Sequence, residues 1–315
     1  MLLLGLLLAG WFMETPDSPA YPVTVPCQPG QPPPRYATWA VTTKDQTDLT
    51  LHVWSPPRAE PGKPVMLLLH GIGLHGKPYA SVAAGFCRHG LVLVAPDLRG
   101  HGASGGTRGE MAEITVLRTD LEQILDELAR RFPRAPIILM GESMGGLLAA
   151  ECARTCQKRL AGLALLAPAF MVHPSRFKVQ PGDVFQMVLN FRIPIATLDH
   201  LEPSTRDPGF ITARQADPCC INEVQPGYLL KLGMLGVNWP LAASELTLPL
   251  YIGLPEKDQI IESRVARWTF TRAATPPYWR TLQEWPGACH TLFWDPVAPD
   301  LVDTVARWAL QVTAP

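Results

Sequence analysis

From about residue 36 onward the chain alternates between short, unbroken apolar runs and longer segments whose apolar residues recur every three or four positions. Residues 36–54 alternate apolar and polar around a polar turn at 44–48, which predicts a β-hairpin. Residues 65–69, 91–95, 136–140 and 163–167 are runs rich in Val, Ile and Leu, each the length of one strand. Between them, residues 79–89 read as helix, and 114–132 place Leu117, Leu121, Ile124, Leu125 and Leu128 at helical spacing. A helix of small residues follows Gly145. A strand that is apolar on every residue has both faces covered, so the pattern predicts an α/β chain with a mostly parallel central sheet and helices on both faces.

The alternation stops at Pro168. Residues 169–245 are interrupted by prolines and hold amphipathic pieces at 184–191 and 228–235. Strand–helix order resumes at 248–253, with a helix from about 262, a strand near 279–284 and an amphipathic helix at 300–310. The expected organisation is an apolar N-terminal segment and proline-rich linker (1–34), a core in two parts (35–168 and 246–315) and an inserted cap or lid (169–245). Hydrophobic residues make up 47% of the 315 and charged ones 17%, which allows a sizeable core. The formal charge is −1 with no basic block, so nucleic acid is not an expected partner. The apolar stretch 1–13, MLLLGLLLAGWFM, is shorter than the roughly 20 residues a spanning helix needs, but it fits the core of a secretory signal. Export or membrane attachment is the expectation, with a cytoplasmic protein bearing an apolar tail as the alternative. Seven cysteines follow neither a zinc pattern nor a compact disulfide framework and read mostly as small buried hydrophobes.

The candidate chemistry centres on Gly141-Glu142-Ser143-Met144-Gly145, a Gly-x-Ser-x-Gly motif between a strand and a helix. In that setting the serine occupies a sharp turn with its hydroxyl exposed, and the flanking glycines let strand and helix pass closely. A serine hydroxyl needs a base, and the base needs an orienting acid. Downstream lie His173, His200 and His290; the first two fall in the expected cap, which leaves His290 as the base. The acid should follow the strand at 248–253, where Asp258 is favoured and Glu256 is the alternative. Backbone N–H groups of Met144 and Ile72, the latter in the loop His70-Gly71-Ile72-Gly73, are the expected oxyanion donors. His70 is expected to brace that loop, and Asp97, Arg99 and His101 to pin the glycine-bearing loop after residue 95. No metal or cofactor is expected.

The segments HGIGLHGKPY from His70, PDLRGHGASGG from Pro96, GESMGG from Gly141, STRDPGFITARQADP from Ser204 and GACHTLFWDP from Gly287 together resemble the monoacylglycerol lipase and lysophospholipase branch of the α/β-hydrolase superfamily. The resemblance runs over most of the chain from residue 36. It implies an α/β-hydrolase fold and a serine carboxylester hydrolase of single-chain acyl esters, with nucleophile Ser143, acid Asp258, base His290 and oxyanion donors Ile72 and Met144. Cys289 and the Cys219-Cys220 pair depart from the pattern. Apolar residues of the expected cap, among them Phe170, Phe177, Phe185, Leu230, Met234 and Trp239, suit an acyl chain or contact with a membrane or micelle surface. Two other readings stay open, an aminopeptidase or acyltransferase of the same fold and a catalytically silent binding protein.

Overall fold

The computed structural model describes residues 18–58, 60–173, 192–195 and 204–314. The apolar stretch at 1–13, the amphipathic piece expected at 184–191, Phe177 and His200 lie outside them. In chain order the core runs β1 (Arg35–Thr42), β2 (Asp48–Ser55), β3 (Val65–Leu69), α1 (Ala80–Arg88), β4 (Val92–Pro96), α2 (Ile114–Arg131), β5 (Ile137–Glu142), α3 (Met144–Cys156) and β6 (Gly162–Leu166). The next segment holds a two-residue antiparallel pair, β7 (Ile193–Pro194) and β8 (Glu223–Val224), with α4 (Pro208–Ala216) between them and α5 (Pro226–Ala242) after. The core resumes with β9 (Leu250–Pro255), α6 (Arg264–Arg272), β10 (Arg280–Trp285) and α7 (Ala298–Val312).

Eight strands form one sheet in the order β1-β2-β4-β3-β5-β6-β9-β10, antiparallel at β1/β2 and β2/β4 and parallel elsewhere. The strands alternate between two buried layers. Leu67 and Leu139 face α2 and α3, while Met66 and Ile138 face α1 and α7. This double coverage is why the strands read as unbroken apolar runs. The chain leaves β3 toward β4 on one side and takes up β5 on the other, so the loops after β3 and β5 flank a crevice at the strands' carboxyl ends, where open α/β sheets bind ligands. Leu69 pairs with Gly141, which sets the end of β3 beside the turn after β5.

Two segments differ from expectation. The helical piece at 228–235 is part of a longer helix, α5, that carries Pro240 inside it. The proline-rich stretch is tied to the core at 21–25, whereas 26–33 are exposed. Val25 is buried and its amide donates to Ser81 O at 3.0 Å, Thr24 Oγ1 donates to Phe293 O at 2.8 Å, and the Tyr21 hydroxyl donates to Asp217 Oδ2 at 3.0 Å.

Around the β5–α3 turn the packing leaves no slack. A Cβ at Gly145 would be driven into the carbonyls of Leu69 and His70, and one at Gly141 into the carbonyl of Gly145. These obstacles are backbone and cannot rotate away. Gly145→Ala should therefore destabilise the fold by about 3 kcal/mol or more. Urea unfolding checks this, and a loss under about 1 kcal/mol would contradict the stated packing.

The sheet also buries Glu142 at the end of β5, with Oε2 accepting from the Tyr79 hydroxyl at 3.0 Å. Burial pushes its pKa up to about 7, against the lowering influence of His290 and the Tyr79 hydrogen bond. Between pH 4.5, its ordinary value, and about 7 the folded protein holds a proton that the unfolded chain has released, so this group lowers stability as pH rises through that window. Glu142→Gln keeps an acceptor for Tyr79 and removes the titration. Relative to the variant, the wild type should lose on the order of 3 kcal/mol between pH 4.5 and 7, measured by denaturant unfolding. Parallel stability curves for the two proteins would refute it.

Candidate active site

Ser143 sits between β5 and α3 with φ 55° and ψ −120°, a conformation that L-residues rarely adopt. Its amide donates to Leu166 O at 2.9 Å, and its carbonyl accepts from the amides of Gly146, Leu147 and Ala169, so the turn is held from four sides. The fold thus points the side chain out of the sheet instead of into a layer. The Ser143 hydroxyl lies 2.8 Å from His290 Nε2, and His290 Nδ1 lies 2.8 Å from Asp258 Oδ2. A carboxylate only accepts, so Nδ1 carries the proton and Nε2 is free to accept from the serine.

Asp258 follows β9. Its other oxygen, Oδ1, accepts from the amides of Ile260 and Ile261 at 2.8 and 2.9 Å, which fixes the carboxylate plane and presents Oδ2 to the imidazole. The alternative acid, Glu256, is exposed and spends Oε2 on the Gly287 amide at 2.6 Å, supporting the histidine loop from the other end. The inserted segment grips that loop through contacts that no local motif signals. The Thr291 amide and hydroxyl both donate to Ser204 O, at 2.8 and 2.9 Å, and Thr205 Oγ1 donates to Trp294 O at 3.0 Å. Arg206 forms a fork with both oxygens of Asp295, at 3.0 and 2.5 Å, and Asp295 Oδ2 accepts from the Cys289 amide. The Ser-Thr-Arg signal was visible in the sequence, but its target is nearly 90 residues away.

The loop after β3 runs against the serine, since a Cβ on Gly71 would stand 3.7 Å from Ser143 Cβ. Among the described residues the amides of Ile72 and Met144 donate to no acceptor, and Ile72, Ser143 and His290 line one cavity. Met144 opens α3, so its amide belongs to the unspent first turn of a helix. The chain path explains the rest. His70 is fully buried, donates from Nδ1 to Gly71 O at 2.9 Å and accepts from the Leu98 amide on Nε2 at 3.0 Å. Burial, reinforced by the neighbouring His101, drives its pKa down to about 3 and keeps it neutral. His101 is likewise buried and lowered to about 4. Asp97 accepts from the amides of Gly76 and Ala103 at 2.6 and 2.8 Å, and Arg99 is forked onto Asp120. These residues pin the two loops as expected.

The fold also joins ligand-type atoms that spacing along the chain does not reveal: His52, His75 and Asp97, and His75, Asp217 and Cys219, each set within 4.8 Å. Hydrogen bonds account for these groupings. His52 Nε2 lies 3.1 Å from Asp97 Oδ1, and His75 Nε2 lies 2.9 Å from Asp217 Oδ2. Burial opposes charge on His75, but Asp217, then Cys220 and then Asp97 outweigh it and raise its pKa to about 9, so an ionised network ties the loop after β3 to the inserted segment.

The sequence profile of the family described as serine aminopeptidase, S33, matches residues 60–297. The monoacylglycerol lipase of Mycolicibacterium smegmatis is 30% identical over 82% of this chain and 91% of its own. Human monoglyceride lipase is 26% identical over 83% and 86%. The crystal structure of a soluble variant of Saccharomyces cerevisiae monoglyceride lipase, in complex with a substrate analog, superposes with a TM-score of 0.74 at 19% identity, over 94% of this chain and all of that one. The fold is that of the α/β hydrolases, and the chain belongs to their serine aminopeptidase S33 family as a monoglyceride lipase-like serine hydrolase.

Proposed function

We propose that this hydrolase cleaves single-chain acyl esters, monoacylglycerols and lysophospholipids, through an acyl-enzyme on Ser143. The observation that carries the reading is the unbroken relay from the Ser143 hydroxyl through His290 to Asp258, at 2.8 Å per step, beside two unspent amides. His290 takes the serine proton as Oγ attacks the ester carbonyl, Asp258 stabilises the imidazolium, and the amides of Ile72 and Met144 receive the oxyanion. The proton then passes to the leaving alcohol, and water activated by His290 releases the acid. Similarity to proteins named monoacylglycerol lipase supports the glyceride side of the substrate.

An aminopeptidase would need a carboxylate to hold the substrate's ammonium. Glu142 lines the cavity, but burial holds it largely protonated below pH 7 and Tyr79 occupies one oxygen, while the cation Arg214 lines the same cavity. Both disfavour an ammonium ligand.

Contact with a lipid surface is the companion proposal. Leu230, Met234, Val237 and Leu241 are all strongly exposed and recur at helical spacing along one face of α5, whereas Trp239 is buried and stacks on Phe170 at 5.0 Å. The apolar residues of the inserted segment therefore divide between packing and exposure. The apolar stretch 1–13 supports attachment or export in the same direction.

Ser143→Ala should lower kcat/KM for monoacylglycerol by about ten-thousandfold or more and abolish fluorophosphonate labelling with folding intact; Asp258→Asn should cost about ten-thousandfold in kcat. Wild-type-like turnover in the alanine variant ends the proposal. In vesicle flotation, replacing Leu230, Met234, Val237 and Leu241 together by serine should weaken lipid binding at least about tenfold. The same assay on protein lacking residues 1–17, which leaves the packed residues 21–25 in place, measures the N-terminal share, and unchanged binding in both variants would exclude both surfaces.

A further inference from the structure

Arg214 stands in the last turn of α4, is 4% exposed, and lines the cavity that holds Ser143, His290, Ile72 and Thr291. Its Nη2 is buried and has no hydrogen-bond partner, and among the described residues no carboxylate comes within ion-pair distance of it. Among the described residues, arginines whose side chains are largely covered elsewhere in the fold have acidic partners. Arg99, for example, is forked onto Asp120 and also meets Asp45. The carboxyl terminus of a helix lends Arg214 some negative potential but no acceptor aimed at Nη2. An unpaired buried guanidinium is among the costliest groups a fold can hold, so its position calls for a partner that arrives from outside.

The position is also built. Nη2 lies 2.8 Å from the point where a Cβ on Gly73 would stand. Gly73 has φ +71°, so the turn after Ile72 favours glycine, and the missing side chain leaves the guanidinium room against the loop expected to receive the oxyanion. The planar fork of arginine matches the oxygens of a carboxylate or phosphate.

We propose that Arg214 is a recognition residue for an anionic group, phosphate or carboxylate, carried by the ester substrate within the Ser143 cavity. The assignment rests on the ester-hydrolase reading and narrows it. Among single-chain esters, those bearing an anion close to the scissile bond are favoured over neutral monoacylglycerols. The anion either sits on the alcohol side, as in a lysophosphatidic acid, or on the acyl side, as in the monoester of a short dicarboxylic acid.

The test separates binding from turnover. Calorimetry on the Ser143→Ala protein should show octyl phosphate or octanoate binding about 10–100-fold tighter than octanol. Adding Arg214→Gln should erase that difference, and Arg214→Lys, which keeps charge without the fork, should retain part of it. Arg214→Met fills similar volume without charge and repeats the test should the glutamine variant not fold. The ranking of octyl phosphate against octanoate names the anion. In the active protein, Arg214→Gln should lower kcat/KM about 10–100-fold more for 1-acylglycerol 3-phosphate or monomethyl adipate than for the neutral 1-acylglycerol. Equal affinity for anionic and neutral octyl compounds, or an equal fall for all three in the glutamine variant, would overturn the proposal and leave Arg214 as a brace for the loop. Charge-dependent binding without hydrolysis of any acyl ester would instead sink the ester-hydrolase reading and leave the anion site standing.

Discussion

The structure depends on a close approach of two backbones. Helix α3 passes so near the end of β3 that only a hydrogen fits between Gly145 and the Leu69 carbonyl. That approach lets the chain reverse from β5 into α3 within one residue. Ser143, at the apex, is forced to a positive φ, a conformation costing about 1–3 kcal/mol, and hydrogen bonds to Leu166, Gly146, Leu147 and Ala169 hold it there. The strain has a use. A relaxed serine would lie along the sheet, whereas this one stands clear of it, within reach of an imidazole.

Around that apex the polar groups are arranged so that few of them can move. His70 is neutral because it is buried and already both donates and accepts, so it serves as a spacer between the loop after β3 and the loop after β4. Asp97 gathers amides from two loops, and His75 links it to Asp217 in the inserted segment. The histidine loop is treated in the same way, by Ser204 and the Arg206–Asp295 fork. The inserted segment is therefore part of the site's scaffold as well as its cover. Against this neutralised background Arg214 stands apart as a buried charge without a counter-ion among the described residues.

Much of this was legible in the chain. The alternation of apolar runs and helical spacing places every strand of the sheet to within a few residues; the central strands are clearest, because strands covered on both faces leave no polar positions to blur the signal, while the exposed edge strand β1 is legible from its alternation within a hairpin. The turn at Ser143 was legible because sterics permit few residues at 141 and 145. His290 and Asp258 followed from their positions after late strands, and the geometry favours Asp258 over Glu256 because the amides of Ile260 and Ile261 turn its carboxylate toward the imidazole, while Glu256 is engaged at Gly287. Within the proline-rich stretch, composition does not report that Tyr21 and Val25, ahead of the exposed 26–33, find partners on the core.

The order of strands and helices along the chain and the serine turn were determined by the sequence alone, since each rests on local periodicity or on the sterics of neighbouring residues, whereas chain order only narrowed the serine's partners to His290 with Asp258 or Glu256. Only the tertiary structure decided the 2.8 Å contacts from Ser143 to His290 and from His290 to Asp258, the grip of Ser204 and Arg206 on the histidine loop, the two buried histidine–carboxylate groupings and the solitary charge of Arg214. These join residues that lie tens to more than a hundred positions apart. Their energies depend on distance and burial in space, which no local pattern encodes.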